Sequence, residues 1–403
     1  MSFSFRIIRI FIPFAVGFFI ASIFRTMNAV LAPEIQSSLA ISTTMYAFVT
    51  SLYFFGYAPM QLLNGILVDR WGPRRAQSTL FLIGGIGALL FGLAKGPLLL
   101  CVGRLLLGAG MAGGLMTAFA ANRIWFKNQD LTLINGLTFA VGSLGAISSS
   151  YPMHLLLEQI NWNRIVLLLA GFNFLLVGII WISVPDFERR GKKDTWRAEF
   201  KELKIIFKDR VFWKIAPLNT LICGTAASFQ SYWVSPWIIT VENQSSTLTS
   251  LVLLSIAFGL VLSNLMGAFL KKSLERQGYS GLWALPICAG FALLSQILIV
   301  LQIFPASLTL WFLYTLFSAS LMISYSFISA HFPERLVGRS VTALNVLFFG
   351  TTFVIQYCFG LIKNIFSSSS EPLGYLVAFW IFITLQILSL IWYAFGKYKP
   401  YTQ

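Results

Sequence analysis

Arg25 is the residue whose chemistry is hardest to explain away in this 403-residue chain. It lies in an apolar stretch, residues 10–32, that holds no carboxylate to neutralise it. A lone cation in hydrocarbon costs ~3 kcal/mol on insertion scales, so such a residue faces a cavity and finds a partner. A carboxylate or phosphate arriving as a ligand would be that partner. Snorkelling to the interface, or bonding to carbonyls of a broken helix, are the structural alternatives. Arg104 is a second arginine in an apolar stretch, suited to ligand contact or to governing a conformational change.

Three polar stripes recur at helical spacing. Tyr46, Tyr53, Tyr57 and Gln61 form one, and Asn219, Cys223, Gln230, Trp233 and Trp237 another. The third is Asn345, Phe349, Thr352 and Gln356. Such stripes line cavities or serve as hydrogen-bonding glue between helices. Arg25, Tyr53, Tyr57, Arg104, Gln230, Trp233, Asn345 and Gln356 are the candidate substrate contacts. His154 and Glu158, four residues apart, could titrate together near neutral pH, and Glu34 is a further candidate for coupling to an ion. His331 reads as structural. No nucleophile–base pair, metal-ligand cluster or phosphate-binding loop is present, so neither an enzyme nor a cofactor or metal is expected. Gly84-Gly85-Ile86-Gly87 sits inside an apolar stretch, where helix packing accounts for it.

The elements that must position these residues are membrane spans. The chain is 57 % hydrophobic and 11 % charged, with a mean hydropathy of +0.78, as in a polytopic membrane protein. Its 38 Phe and 12 Trp suit lipid-facing surfaces and interfacial belts. About twelve stretches of spanning length emerge: 10–32, 44–67, 76–94, 97–122, 131–156, 163–184, 213–240, 247–270, 281–303, 306–330, 340–362 and 374–396. Arg6 and Arg9 before the first stretch give it only a superficial likeness to a signal peptide; it is too long and has no small-residue cleavage site. Cys101, Cys223, Cys288 and Cys358 all lie in apolar stretches, so no disulfide framework is implied.

The net charge of +15 does not point to nucleic acid, because the cations are confined to short connections. Arg6, Arg9, Arg70, Arg74, Arg75, Arg123, Lys127, the run from Arg189 to Lys214, Lys271, Lys272, Arg276, Arg335, Arg339, Lys397 and Lys399 share one side. Little beyond Lys95, Arg164 and Lys363 falls on the other. By the positive-inside rule both termini are cytoplasmic. The polar segment between the sixth and seventh spans carries Trp196, Phe200, Leu203 and Phe207 at helical spacing. It reads as an amphipathic helix on the inner membrane surface, its basic residues toward anionic lipid. It divides the chain into a six-span unit at 1–185, a linker at 186–212 and a second six-span unit at 213–403. Two such repeats are a common transporter plan, with the site between them near the midplane.

Residues Gly65-Ile-Leu-Val-Asp69-Arg70-Trp-Gly72-Pro-Arg74-Arg75, between the second and third spans, resemble the signature loop of the major facilitator superfamily. In the second half Lys271 stands where the aspartate would be. Arg104-Leu-Leu-Leu-Gly108-Ala-Gly110 is similar to the superfamily's buried arginine motif. Arg25, Pro33, the run Tyr57–Gly65 and Asn345 and Gln356 more weakly resemble its anion:cation symporter subgroup. The resemblance implies an all-α fold of twelve transmembrane helices in two pseudo-symmetric six-helix bundles working by alternating access. Gly65, Asp69, Arg70, Gly72 and Arg74 would form a conformational latch, with the arginines reaching groups across the two halves. It implies a small anionic substrate, protons or sodium as coupling ions, lipid neighbours and a bacterial inner membrane. Phe24 and Met111 depart from the pattern, standing where proton-coupled members carry carboxylates. The leading expectation is import of an organic anion, such as a sugar acid or polycarboxylate siderophore, by symport. Efflux of amphipathic compounds and a non-transporting sensor stay open.

Overall fold

The computed structural model describes residues 3–186, 196–367 and 370–396, and within them the regular structure is entirely helical. Ten of the described helices are long and apolar enough to cross a membrane. The helix Thr43–Gly92 has 50 residues, about 75 Å at 1.5 Å per residue, more than twice a ~30 Å hydrocarbon core. It is two spans joined at Gly72, whose φ of 77° and ψ of 161° suit only glycine without strain. The connection that the sequence places between them shrinks to that residue, with Pro73 opening the next helix. Arg210–Ser228 continues through π-turns at Phe229–Trp233 and Trp237–Val241 as a further crossing, which makes twelve.

The chain folds as two compact units, residues 1–193 and 194–403. In the first, the first span breaks at Met27, between Ile12–Thr26 and Asn28–Leu39. The fourth breaks between Pro97–Met111 and Gly114–Trp125. The second and third spans press so closely on the fourth that backbones touch. A Cβ added at Gly108 would stand 1.9 Å from the Tyr53 carbonyl oxygen, and one at Gly110 would stand 2.2 Å from the Gly84 amide nitrogen. Small residues at such a seam replace the hydrophobic drive that lipid does not supply. Gln61 Nε2 donates to the Ala112 carbonyl at 3.2 Å, which anchors the second span to the break in the fourth.

In the second unit, Asn219 Nδ2 donates to Leu321 O at 3.1 Å and Ser324 Oγ at 2.9 Å, and Cys223 Sγ donates to Ser318 O at 3.1 Å. Asn219 and Cys223 of that stripe therefore join the seventh span to the tenth. Asp209 caps the seventh span by accepting from Phe212 N at 2.8 Å. Its other oxygen meets His331 Nε2 at 3.2 Å, a structural use of the histidine. The helix Trp196–Lys208 packs on Glu334–Phe366, the eleventh span. Leu203 and Ile206 are buried, and Glu202 Oε2 pairs with Arg339 Nε at 3.1 Å. Leu203 and Ile206 are thus covered by protein, Phe207 is partly exposed, and the side chains of Trp196 and Phe200 lie outside the described residues. The cations Arg189, Arg190, Lys192, Lys193, Lys397 and Lys399 lie outside the described residues.

Candidate functional site

The break at Met27 frees carbonyls of the first span, and Arg104 takes one of them. Its Nη1 donates to Phe24 O at 2.9 Å. The Asn28 amide, oriented with its oxygen toward the guanidinium, accepts from Nη1 at 3.1 Å and Nη2 at 2.8 Å. The amide nitrogen then donates to the Tyr46 hydroxyl, 3.3 Å away. The guanidinium plane lies 4.7 Å from the Tyr53 ring centre and 5.7 Å from that of Phe91. Arg104 is 0 % exposed; its terminal nitrogens meet protein dipoles and its plane meets π-faces, its Nε has no hydrogen-bond partner, and among the described residues no carboxylate is in contact. Both terminal nitrogens of Arg104 thus face the first span and the ring of Tyr53 lies over its guanidinium.

Arg25 is the next residue after the pinned Phe24 carbonyl. It is partly buried, and among the described residues it makes no hydrogen bond or ion pair. It is close enough to the Tyr53 and Tyr57 hydroxyls to act on them electrostatically. The two tyrosine rings stack at 5.7 Å. One face of the first unit therefore assembles a partnerless cation and two phenols. A cation with phenolic O–H donors beside it can bind an oxyanion through charge-assisted hydrogen bonds.

The second unit gathers less. Gln230 is partly exposed. Asn345 Oδ1 accepts from the Tyr325 hydroxyl at 2.6 Å. Trp233 and Gln356 are enclosed by protein in this arrangement. Both are 0 % exposed; the indole N–H donates to the Gln356 carbonyl at 3.1 Å and the amide oxygen accepts from Ser231 Oγ at 2.7 Å. They lock the seventh span to the eleventh. Shared helical face selected them, but periodicity does not say what covers a face.

The coupling candidates are peripheral. Glu34 Oε1 accepts from Trp162 N at 3.5 Å, at the start of the sixth span, where a carboxylate complements the helix N-terminus. His154 and Glu158 stand 3.8 Å apart, with Glu158 61 % exposed, so the pair is a weak surface contact. Sequence reasoning passed over Glu242, the buried carboxylate beyond the seventh span (8 % exposed). Among the described residues no group of three His, Cys, Asp or Glu could hold a metal.

In the latch segment, Arg74 Nη2 and Arg75 Nη2 share Asp186 Oδ2 at 3.0 and 2.5 Å, and Arg74 Nη1 donates to Val184 O at 3.4 Å. The partners are the end of the sixth span in the same unit, where the sequence reading sent these arginines across the two halves. Asp69 is exposed, Arg70 partly so. A Cβ at Gly65 would meet nothing within 4 Å, so close approach is not what this glycine serves here. Exposed pairs are worth at most about 1 kcal/mol. Asp186→Asn is therefore expected to lower the melting temperature by no more than about 4 °C, as differential scanning fluorimetry would read; a larger fall would mean that the shared carboxylate organises the whole joint.

Two six-span units, with breaks in the first and fourth spans and π-turns in the seventh, define a multi-span membrane protein. The sequence profile of the Major Facilitator Superfamily matches residues 14–356, and the chain belongs to that family. It is 29 % identical over 176 residues to the "probable sulfoacetate transporter" of Cupriavidus necator, covering 43 % of this chain and 41 % of that one. It is 28 % identical over 160 residues to the hexuronate transporter of Bacillus subtilis (39 % and 36 %). A nitrate/nitrite transporter of Nostoc punctiforme is 26 % identical over 142 residues (33 % and 28 %). The chain spans about half or less of the length of the curated relatives it matches. Among solved structures, a bacterial homologue of the human lysosomal transporter Spinster superposes with a TM-score of 0.76 at 15 % identity, covering 98 % of this chain and 97 % of that one. A D-xylose–proton symporter gives 0.76 at 13 % identity, covering 98 % of each. These two likenesses concern the fold alone.

Proposed function

We propose that this protein is a secondary transporter of small organic anions, carboxylates or sulfonates, with Arg25 as the cation that binds them and Tyr53 and Tyr57 beside it. The observation that carries the reading is the partly buried Arg25 without a hydrogen bond or ion pair among the described residues. An intramembrane cation left unpaired by the protein is expensive unless a ligand completes it. Relatives named for sulfoacetate, hexuronate and nitrate transport support an oxyanion substrate.

The same reading places the protein in a bacterial inner membrane with both termini in the cytoplasm, on the strength of the one-sided cations. An inside-negative potential opposes anion entry by ~2.3 kcal/mol per charge per 100 mV. Import by alternating access therefore requires a cation to accompany the anion. The test is counterflow in proteoliposomes loaded with sulfoacetate or glucuronate, against a neutral sugar of similar size. Anion-selective exchange is expected. Exchange indifferent to charge, or confined to amphipathic cations, would sink the anion reading in favour of efflux; binding without exchange would indicate a sensor.

A further inference from the structure

The connection that leaves the seventh span holds a carboxylate that nothing above uses. Trp237 Nε1–H donates to Glu242 Oε1 at 2.5 Å, and the Ala306 backbone N–H donates to Oε2. Glu242 is only 8 % exposed. A carboxyl group so dry, with N–H donors but no cation in contact, is poorly compensated as an ion. The backbone on both sides is bent to make the contact. Asn243 has φ 52° and Ala306 φ 48°, a left-handed conformation common for asparagine but uncommon for alanine. The span leading to it is irregular too, with π-turns at Phe229–Trp233 and Trp237–Val241. Such widened turns frequently mark functional sites.

We propose that Glu242 is the proton-binding group of this transporter: it takes up a proton as the far end of the second unit closes over it and releases the proton when that end opens to water. Burial penalises the ion and not the acid, so the closed arrangement binds a proton more tightly than a hydrated one. By linkage, a proton then favours closure, and ionisation favours opening. Burial raises the proton affinity of Glu242 above the ordinary carboxylate range, while the bonds from Trp237 and Ala306 pull it partly back.

Neighbouring charges leave that balance alone. The π-turn Trp237–Val241, the residues 301–307 and the first turns of Ser246–Arg276 carry no other ionisable side chain. Those of Ser246–Arg276 are Lys271, Lys272, Glu275 and Arg276, all at its other end. On Glu371–Phe395, which also packs here, Glu371 and Tyr375 are engaged by Lys363, with Nζ 3.0 Å from Oε1 and 5.2 Å from the ring centre. Tyr393 lies at the opposite end of that helix. The step is a plain proton transfer from water to a carboxylate oxygen and back. Its consequence, that an anion and a proton travel together, rests on the anion-transport reading; the proton site itself does not.

The experiment therefore uses the purified protein with no anion present. Infrared difference spectra across a pH series report the carboxylic-acid C=O band, and hydrogen exchange of peptides spanning 229–243 and 301–307, corrected for intrinsic rates, reports opening. In the wild type the band should persist above the ordinary carboxylate range and fade as pH rises, with exchange rising in parallel. Glu242→Gln should lose the band and keep exchange low throughout. Should that variant fail to fold, Trp237→Phe, which removes one N–H donor, should move the wild-type transition to higher pH. A band that titrates wholly in the ordinary carboxylate range, a transition unmoved by Trp237→Phe, or exchange that stays flat across the titration would each overturn the proposal. Loss of anion binding in Arg25 variants would leave it untouched.

Discussion

Arg25→Ala is expected to weaken binding of glucuronate or sulfoacetate by roughly 30- to 1,000-fold, the equivalent of about 2–4 kcal/mol for one side of a buried charge-assisted contact. Among the described residues the arginine makes no hydrogen bond or ion pair, so its removal orphans no carboxylate there and the fold should be spared. That separates it from Arg104, whose loss would orphan the Phe24 carbonyl and the Asn28 amide. Arg25→Lys should recover part of the affinity, since a lysine restores the charge but not the planar fork. Isothermal titration of wild type and both variants decides the matter. Equal affinities in all three would make Arg25 a snorkelling residue and return the search for the anion site to the second unit.

Gly108→Ala should be the most damaging single methyl in the first unit. Its Cβ would stand 1.9 Å from the Tyr53 carbonyl oxygen, a backbone atom that no rotamer change can move aside. Overpacking a tight seam costs about 1–3 kcal/mol and sometimes more. Contact between two backbones belongs at the upper end, so a fall of roughly 6–12 °C in melting temperature is expected for a unit of this size. Any helix shift that relieves the clash also displaces Tyr53, and with it the ring above Arg104. Anion affinity should therefore fall together with stability. Gly65→Ala is the control, because a Cβ there meets nothing within 4 Å. Replacing a helical glycine by alanine in open space gains about 0.5–1 kcal/mol. If both variants melted like the wild type, the seam would be far looser than its geometry.

The spans and the first-unit cluster were legible because the signals are local. An uncharged run interrupted by one arginine, and tyrosines repeated along one helical face, need no knowledge of partners. What covers Trp233 and Gln356 was not legible, for the complementary reason. Their spacing placed them on shared faces, but those faces are covered by neighbouring helices that a single span does not reveal. Glu242 was invisible on two counts. It follows Trp237 by five residues, a separation that an α-helix does not bring into register but a π-turn does. Its second donor, Ala306, lies 64 positions further along the chain. The amphipathic linker was recognised by its period, and what covers Leu203 and Ile206 depended on the eleventh span, more than a hundred residues away.

The hold that Arg104 keeps on the Phe24 carbonyl and the Asn28 side chain restrains the first span on either side of Arg25 before any ligand arrives. A site with its main chain already set loses little conformational entropy when it fills, which favours affinity without a slow rearrangement. Capture of the anion would then be a fast step governed by encounter, and the timing of the cycle would be set by helix movements that follow it.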